Sequence, residues 1–243
     1  MEPSLLVIAT RNKHKVGEIR GILGGQFRLL SLEDFPGAPE VVEDAPTFAG
    51  NATKKAVELA KWLSLSGKNH ATCRAGTQSE GGSRITHHAH VLADDSGLEV
   101  DALKGAPGVH SARFAALDTG KPGNSSDAAN REKLLRLLTG VPAAKRTARF
   151  RCVLALTPVT RLEAETASPV CYADQAELQT QLFNGVCEGS IITKERGTGG
   201  FGYDPLFIPS GYDQTFGELP DDVKNRLSHR AHALTAMKAA LLV

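Results

Sequence analysis

Two adjacent carboxylates, Asp94 and Asp95, close the apolar run from His90 to Ala93, and Ser96 and Gly97 follow them. The apolar run reads as a strand, in which neighbouring side chains face opposite sides. Asp94 and Asp95 should therefore point in different directions. One can hold a metal ion or a water while the other braces the chain. Gly97 permits a sharp turn or the close approach of a ligand, and a second alternating run, Leu98 to Leu103, comes next. By itself the segment reads equally as a polar hairpin turn with solvated aspartates, so the choice rests on the groups elsewhere in the chain.

Three further stretches carry groups of the right kind. Thr10-Arg11-Asn12-Lys13-His14-Lys15 follows the apolar run Leu5 to Ala9 and precedes a helical pattern of Val16, Ile19, Ile22 and Leu23. A helix start offers backbone N–H groups to an anion, Thr10 and Asn12 can hydrogen-bond phosphate oxygens, and Lys13 and Lys15 can neutralise them. An ordinary strand–helix loop with solvated lysines remains open. Glu43 lies just before a second helix, and Asn51 and Lys55 lie at i and i+4 on one face of it. A carboxylate, an amide and a lysine there could serve a metal-bound phosphate chain, or could be the surface of a capped amphipathic helix. Gly197 to Gly202 fits GxGxxG formally, but Tyr203-Asp204-Pro205 follows where a dinucleotide fingerprint must open a helix. What remains is a loop able to lay an aromatic face on a flat ring. Lys224, His229 and Arg230 cluster where two C-terminal helices meet at Ser228. Cations at a helix start oppose the dipole, which favours a ligand role.

The elements that must position these groups are legible from periodicity. Leu5 to Ala9 is a continuous apolar run, as in a strand buried on both faces. Phe48, Ala52, Ala56, Leu59 and Leu63 form one helical stripe behind a Thr47 cap. Arg28 to Leu32, Thr147 to Thr157 and Gly185 to Thr193 read as strands, with a shorter one at Val170 to Ala173, and Asp127 to Leu138 and His229 to Leu242 read as helices. Ser66 to His90 has no usable period and reads as an exposed insertion, whose histidines (His87, His88, His90) are expected to be solvated. The 243 residues, 41% hydrophobic, suit one α/β domain or two small ones, and the net charge of +1 argues against a bulk nucleic-acid binder. No apolar run approaches the roughly 18 residues of a membrane span, and the N-terminus lacks the pattern of a signal peptide. The cysteines (Cys73, Cys152, Cys171, Cys187) form no CxxC pair and no zinc spacing, so a reduced, cytoplasmic setting is expected.

Taken in order, ATRNKHK, EDAPTFAGNATKKA, LADDSGLEVDALKGAPGVHSARFA, GTGGFGYDPLF and LSHRAHAL resemble the motifs of the inosine triphosphate pyrophosphatase family. Each is weak to moderate alone, and five in order are specific. The resemblance implies one domain over residues 1–243: a mixed α/β fold with a long curved central sheet and two lobes around an active-site cleft, usually homodimeric. It implies Mg²⁺-dependent hydrolysis of ITP, dITP or XTP to the monophosphate and pyrophosphate, with no nucleic-acid or membrane partner. Thr10, Arg11, Asn12, Lys13, His14, Lys15 and Lys55 would hold the triphosphate. Glu43 and Asp95 would hold magnesium, Asp95 would also accept the proton, and Ser96 would contact substrate. Phe201, Gly202, Tyr203, Asp204, Lys224, His229 and Arg230 would line the nucleoside side.

Overall fold

The structure is a computed structural model that describes residues 4–66, 89–120, 122–159 and 179–241. Most of the expected insertion, with His87 and His88, and the strand expected at Val170 to Ala173 lie outside those residues. Six strands form one sheet in the order β2-β1-β3-β4-β5-β6: β1 (Leu5–Ile8), β2 (Arg28–Ser31), β3 (Ala89–Val100), β4 (Thr147–Pro158), β5 (Gln181–Ile191) and β6 (Phe207–Pro209). β1 pairs in parallel with β2 and with β3, and β5 pairs antiparallel with β6, so the sheet is mixed. The long helices are α1 (Lys13–Leu23), α2 (Phe48–Ser66), α3 (Asp127–Leu137), α4 (Asp221–Leu227) and α5 (His229–Leu241).

The chain divides into two compact units, Met1–Asp95 with Val153–Phe183, and Ser96–Cys152 with Asn184–Val243. In the first, β1 lies between two parallel neighbours and all four of its residues are buried, which is why its sequence has no polar alternation. The α2 stripe is buried as its period predicts: Phe48, Ala52, Ala56, Leu59 and Leu63 are each at most 7% exposed. Full burial of a leucine such as Leu59 or Leu63 is worth about 1.5–3 kcal/mol. Thr47 caps the helix, its Oγ1 accepting from the Gly50 N–H at 3.1 Å.

The structure overturns the hairpin reading of Asp94 to Gly97. β3 runs without interruption from Ala89 to Val100, and Asp94 and Asp95 are 1% and 5% exposed. Apolar residues on both sides of the pair, Val91 to Ala93 and then Leu98 and Val100, are buried, so the carboxylates go in with them and need partners other than water.

In the second unit the core gathers Leu98, Val100, Phe114, Leu134, Phe150, Phe207 and Phe216, among others. Phe150 meets Phe207 edge-on at 4.7 Å, and the His229 ring stacks on Phe150 at 4.9 Å and 14°. α4 and α5 join at Ser228, as expected, and its Oγ accepts from the Ala231 N–H at 3.2 Å. α5 approaches β5 so closely that a Cβ on Gly185 would run into the His229 carbonyl. β5 starts at Gln181, earlier than the expected Gly185.

Candidate active site

In the first unit the parallel register of β1 and β3 brings the loop after β1 to the carboxylates: the Ala9 N–H donates to the Leu92 carbonyl at 2.8 Å. Asn12 caps α1, its Oδ1 accepting from His14 N at 2.9 Å and Lys15 N at 3.2 Å, and Thr10 Oγ1 accepts from Asn12 N. Lys15 Nζ then pairs with Asp94 Oδ1 at 2.5 Å. From α2, Lys55 Nζ donates to Asp95 Oδ1 at 3.2 Å, to the Asp94 carbonyl at 2.8 Å and to Glu43 Oε1 at 3.1 Å. Asn51, one turn earlier and fully buried, donates from Nδ2 to Asp95 Oδ2 at 3.2 Å, and its Oδ1 accepts from Ala45 N at 2.9 Å. The two aspartates thus have different side-chain partners, as strand alternation requires: Lys15 for Asp94, and Lys55 with Asn51 for Asp95.

Two of the acids in this cluster, Glu43 and Asp95, are pushed apart. Burial is the largest influence on Asp95 and raises its carboxyl above the usual range, against the pull of Lys55 and Lys15, while nearby Glu43 adds to the rise. Burial also pushes Glu43 up, but the charge and hydrogen bond of Lys55, with help from Lys15, outweigh it and leave Glu43 lowered. Burial pulls Lys55 down, and the charges of Asp95, Glu43 and Asp94 overcome that, so it is held above its ordinary value. One carboxylate firmly ionised beside another readier to take a proton is the arrangement that general-base chemistry needs.

No group of three or more His, Cys, Asp or Glu side chains suited to a metal occurs among the described residues. A magnesium ion needs fewer, because it takes one or two carboxylates and keeps waters or substrate phosphates for the rest. Glu43 and Asp95 supply hard oxygen donors converging on one cation, Lys55 Nζ. These residues therefore fit the ion.

The second unit holds a different set. Arg230, 1% exposed, donates from Nη2 to Ser96 Oγ at 3.0 Å, and its guanidinium lies 6.0 Å from the Phe201 ring centre. Lys224 Nζ lies 5.1 Å from the same ring and pairs with Asp204 Oδ2 at 2.6 Å. The same carboxylate oxygen accepts from the Phe201 N–H at 2.8 Å. Gly200, with φ +71°, allows this approach, since a Cβ there would strike the Asp204 carboxylate. A half-buried ring with two cations against it, close to a serine hydroxyl, can hold a flat heterocycle and donate hydrogen bonds to it.

The structure brings some of the residues expected from sequence together and leaves others apart. Among the loop residues Lys15 pairs with a carboxylate of the cluster. Arg11 donates to the Ala38 carbonyl at 3.0 Å, Lys13 pairs with Glu33 at 3.3 Å on the exposed surface, and His14 is exposed. Tyr203 is buried with its hydroxyl on the Ser111 carbonyl at 2.9 Å, and burial raises its phenol. Asp204 is likewise buried and serves Lys224 and the Phe201 peptide. Asn51 was visible on the Lys55 face, but not its bond to Asp95. Asp127 and Arg131, which grip Gly202, carried no signal beyond that of an ordinary helix.

The sequence pattern of the Ham1 family matches residues 6–240. The chain belongs to the Ham1 family. The dITP/XTP pyrophosphatase of Shouchella clausii is 42% identical over 97% of this chain and 96% of its own length. That of Desulforamulus reducens is 45% identical over 94% and 91%. Among solved structures, the Staphylococcus aureus Ham1 protein superposes with a TM-score of 0.69 at 32% identity, covering 98% of this chain and 97% of its own. The match over residues 6–240 takes in all five motifs, and the mixed α/β fold agrees with it.

Proposed function

We propose that this Ham1-family chain hydrolyses non-standard purine nucleoside triphosphates (ITP, dITP and XTP) to the monophosphate and pyrophosphate. The observation that carries the reading is the buried cluster of Asp94, Asp95, Lys15 and Lys55 with Glu43 at its edge. Curated relatives at 42% and 45% identity bear the name dITP/XTP pyrophosphatase. Lys15 and Lys55 attract the triphosphate and stabilise the charge that passes to the leaving pyrophosphate. Asp95 takes a proton from the water that attacks the α-phosphorus, and the bond to the bridging oxygen of the β-phosphate breaks. Glu43 and Asp95 would hold Mg²⁺, which when bound neutralises the phosphate chain and acidifies water. Asn51 keeps Asp95 turned toward Lys55.

On the nucleoside side Phe201 supplies a face for the purine, and Lys224, His229 and Arg230 supply cations near it. Hypoxanthine and xanthine present a 6-keto acceptor where adenine presents a donor amine. A donor aimed at that position meets a second donor in ATP, and unpaired polar groups of this kind discriminate strongly. The Ham1-type family is usually dimeric and the cysteine pattern suits a reducing compartment, so a cytoplasmic homodimer belongs to the same reading. Among the described residues no helix is long and apolar enough to cross a membrane.

The test is pyrophosphate release from ITP, XTP, dITP, ATP, GTP and dUTP, with magnesium and with EDTA. Magnesium-dependent release from ITP and XTP and little from ATP is expected. Orthophosphate as the product would move the attack to another phosphorus. Binding without turnover of any substrate would make the chain a nucleotide sensor instead.

A further inference from the structure

We infer that Asp127 and Arg131 are positioning residues that hold the Phe201 platform in place and thereby set affinity for the nucleoside half of the substrate. The inference rests on the nucleotide reading above. Its observation is a two-sided grip on one residue, through the peptide on either side of it. The Gly202 N–H donates to Asp127 Oδ2 at 2.7 Å, and the Gly202 carbonyl accepts from Arg131 Nη1 at 3.0 Å. Asp127 and Arg131 stand at i and i+4 on α3, so one helix face supplies both the acceptor and the donor. Arg131 Nε also lies 2.9 Å from Glu195 Oε1, an ion pair without hydrogen-bond alignment that places a carboxylate beside the guanidinium.

Gly202 is the residue that most needs such a grip. Its φ is +62°, and it links Phe201 to the buried Tyr203. A glycine left to itself samples many conformations, and each would re-aim the Phe201 ring. Fixing its N–H and its carbonyl together selects one.

The helix that does the gripping is itself anchored from the other side. Asn130, 2% exposed, accepts from Ala115 N at 2.8 Å and donates to the Ala112 carbonyl at 3.2 Å. Lys133, 7% exposed, donates to the Phe114 carbonyl at 2.7 Å and to Asp118 at 2.6 Å. These bonds hold α3 against residues 112–118, so it is a fixed point for the loop. Asp127 is exposed and Arg131 half-buried, and neither contributes to the apolar core. Charge-assisted bonds at such positions are explained better by a need for loop geometry than by a need for fold stability.

The test compares wild type with Asp127→Ala, Asp127→Asn and Arg131→Met in ITP hydrolysis, in inhibition by inorganic tripolyphosphate, and in thermal melting. Asp127→Ala and Arg131→Met should raise KM for ITP about fivefold or more, with kcat within about twofold. Tripolyphosphate has no nucleoside, so its inhibition constant should stay at the wild-type value. Asp127→Asn keeps an acceptor for the Gly202 N–H and should restore KM. If Asp127→Ala does not fold, Arg131→Met and Asp127→Asn carry the comparison. An unchanged KM in the variants, equal weakening of tripolyphosphate, or Asp127→Asn as impaired as Asp127→Ala would each overturn the inference while leaving the pyrophosphatase reading intact. A wild-type protein that turns over no ITP would remove the reading and the inference with it.

Discussion

Lys55 offers the sharpest test of how the carboxylate cluster is held. Its Nζ is the shared partner of Glu43 Oε1, Asp95 Oδ1 and the Asp94 carbonyl, all within 3.2 Å, and the residue is 9% exposed. Lys55→Met keeps the unbranched stem of the side chain and removes the charged Nζ. Breaking a buried ion pair by deleting one partner costs about 3–5 kcal/mol. The Glu43 side chain is 38% exposed and regains water, so the low end applies, about 3 kcal/mol. For a chain of this size each kcal/mol is worth about 2–4 °C, which gives a fall in Tm of about 6–12 °C near neutral pH. The pH dependence is the more searching part. Burial is the leading influence on both carboxyls and raises both, and Lys55 is the main group opposing it. Without Lys55 the Asp95 carboxyl, already raised, climbs further, and Glu43 loses the main influence that holds it down. Groups raised on folding favour the folded state when protonated, so the variant should regain stability as pH falls and lose it as pH climbs through the raised values. The Tm gap between wild type and variant, measured by circular dichroism at pH 8 and pH 5, should be large at pH 8 and clearly smaller at pH 5. A gap of equal size at both, or none at pH 8, would refute the claim that Lys55 is the main group favouring the charged forms of Asp95 and Glu43.

Two other outcomes follow from the same geometry. Asp95→Asn keeps the shape and an acceptor but not the proton-accepting carboxylate, so pyrophosphate release should fall about 10²–10⁴-fold while nucleotide binding by equilibrium dialysis persists; near-wild-type turnover would remove Asp95 from the mechanism. Cys187 is buried and its thiol is pushed up to about 12 by that burial and by Glu188, so at pH 8 only about one thiol in ten thousand is thiolate. Iodoacetamide should leave the Cys187 peptide unmodified in the native protein and label it in urea, and rapid native labelling would show the strand to be open.

What could be read from the sequence, and what could not, divides by the distance to the deciding partner. β1 and the α2 stripe announced themselves through local period, and Thr47 and Ser228 through cap chemistry. Asp94 to Gly97 looked like a turn because adjacent polar residues with a glycine do form turns. What partners the two carboxylates inside the strand is a pair of lysines 79 and 40 positions away in sequence, on Asp94 and Asp95 respectively. Tyr203 was expected beside the nucleoside because of its loop, and its hydroxyl bond to the Ser111 carbonyl, 92 positions away, is a contact that nothing local reports. The grip of Asp127 and Arg131 spans 75 and 71 positions, and nothing local reports it.

Lys13 and Lys15 show where that boundary lies. They share a loop, a charge and an expected role, yet one pairs with exposed Glu33 and the other with buried Asp94. Two residues apart on a helix, side chains leave the axis about 200° from each other, so when one of the two turns toward the sheet the other turns away. That division was available from the helix start alone. Which of the two faces the carboxylates was not, because it depends on β3 lying in parallel beside β1, with Leu92 opposite Ile8 and Asp94 two residues beyond it. Helix phase narrows a charged loop to alternatives, and strand register chooses between them. A site assembled on a βα unit is therefore only half specified until the neighbouring strand is known.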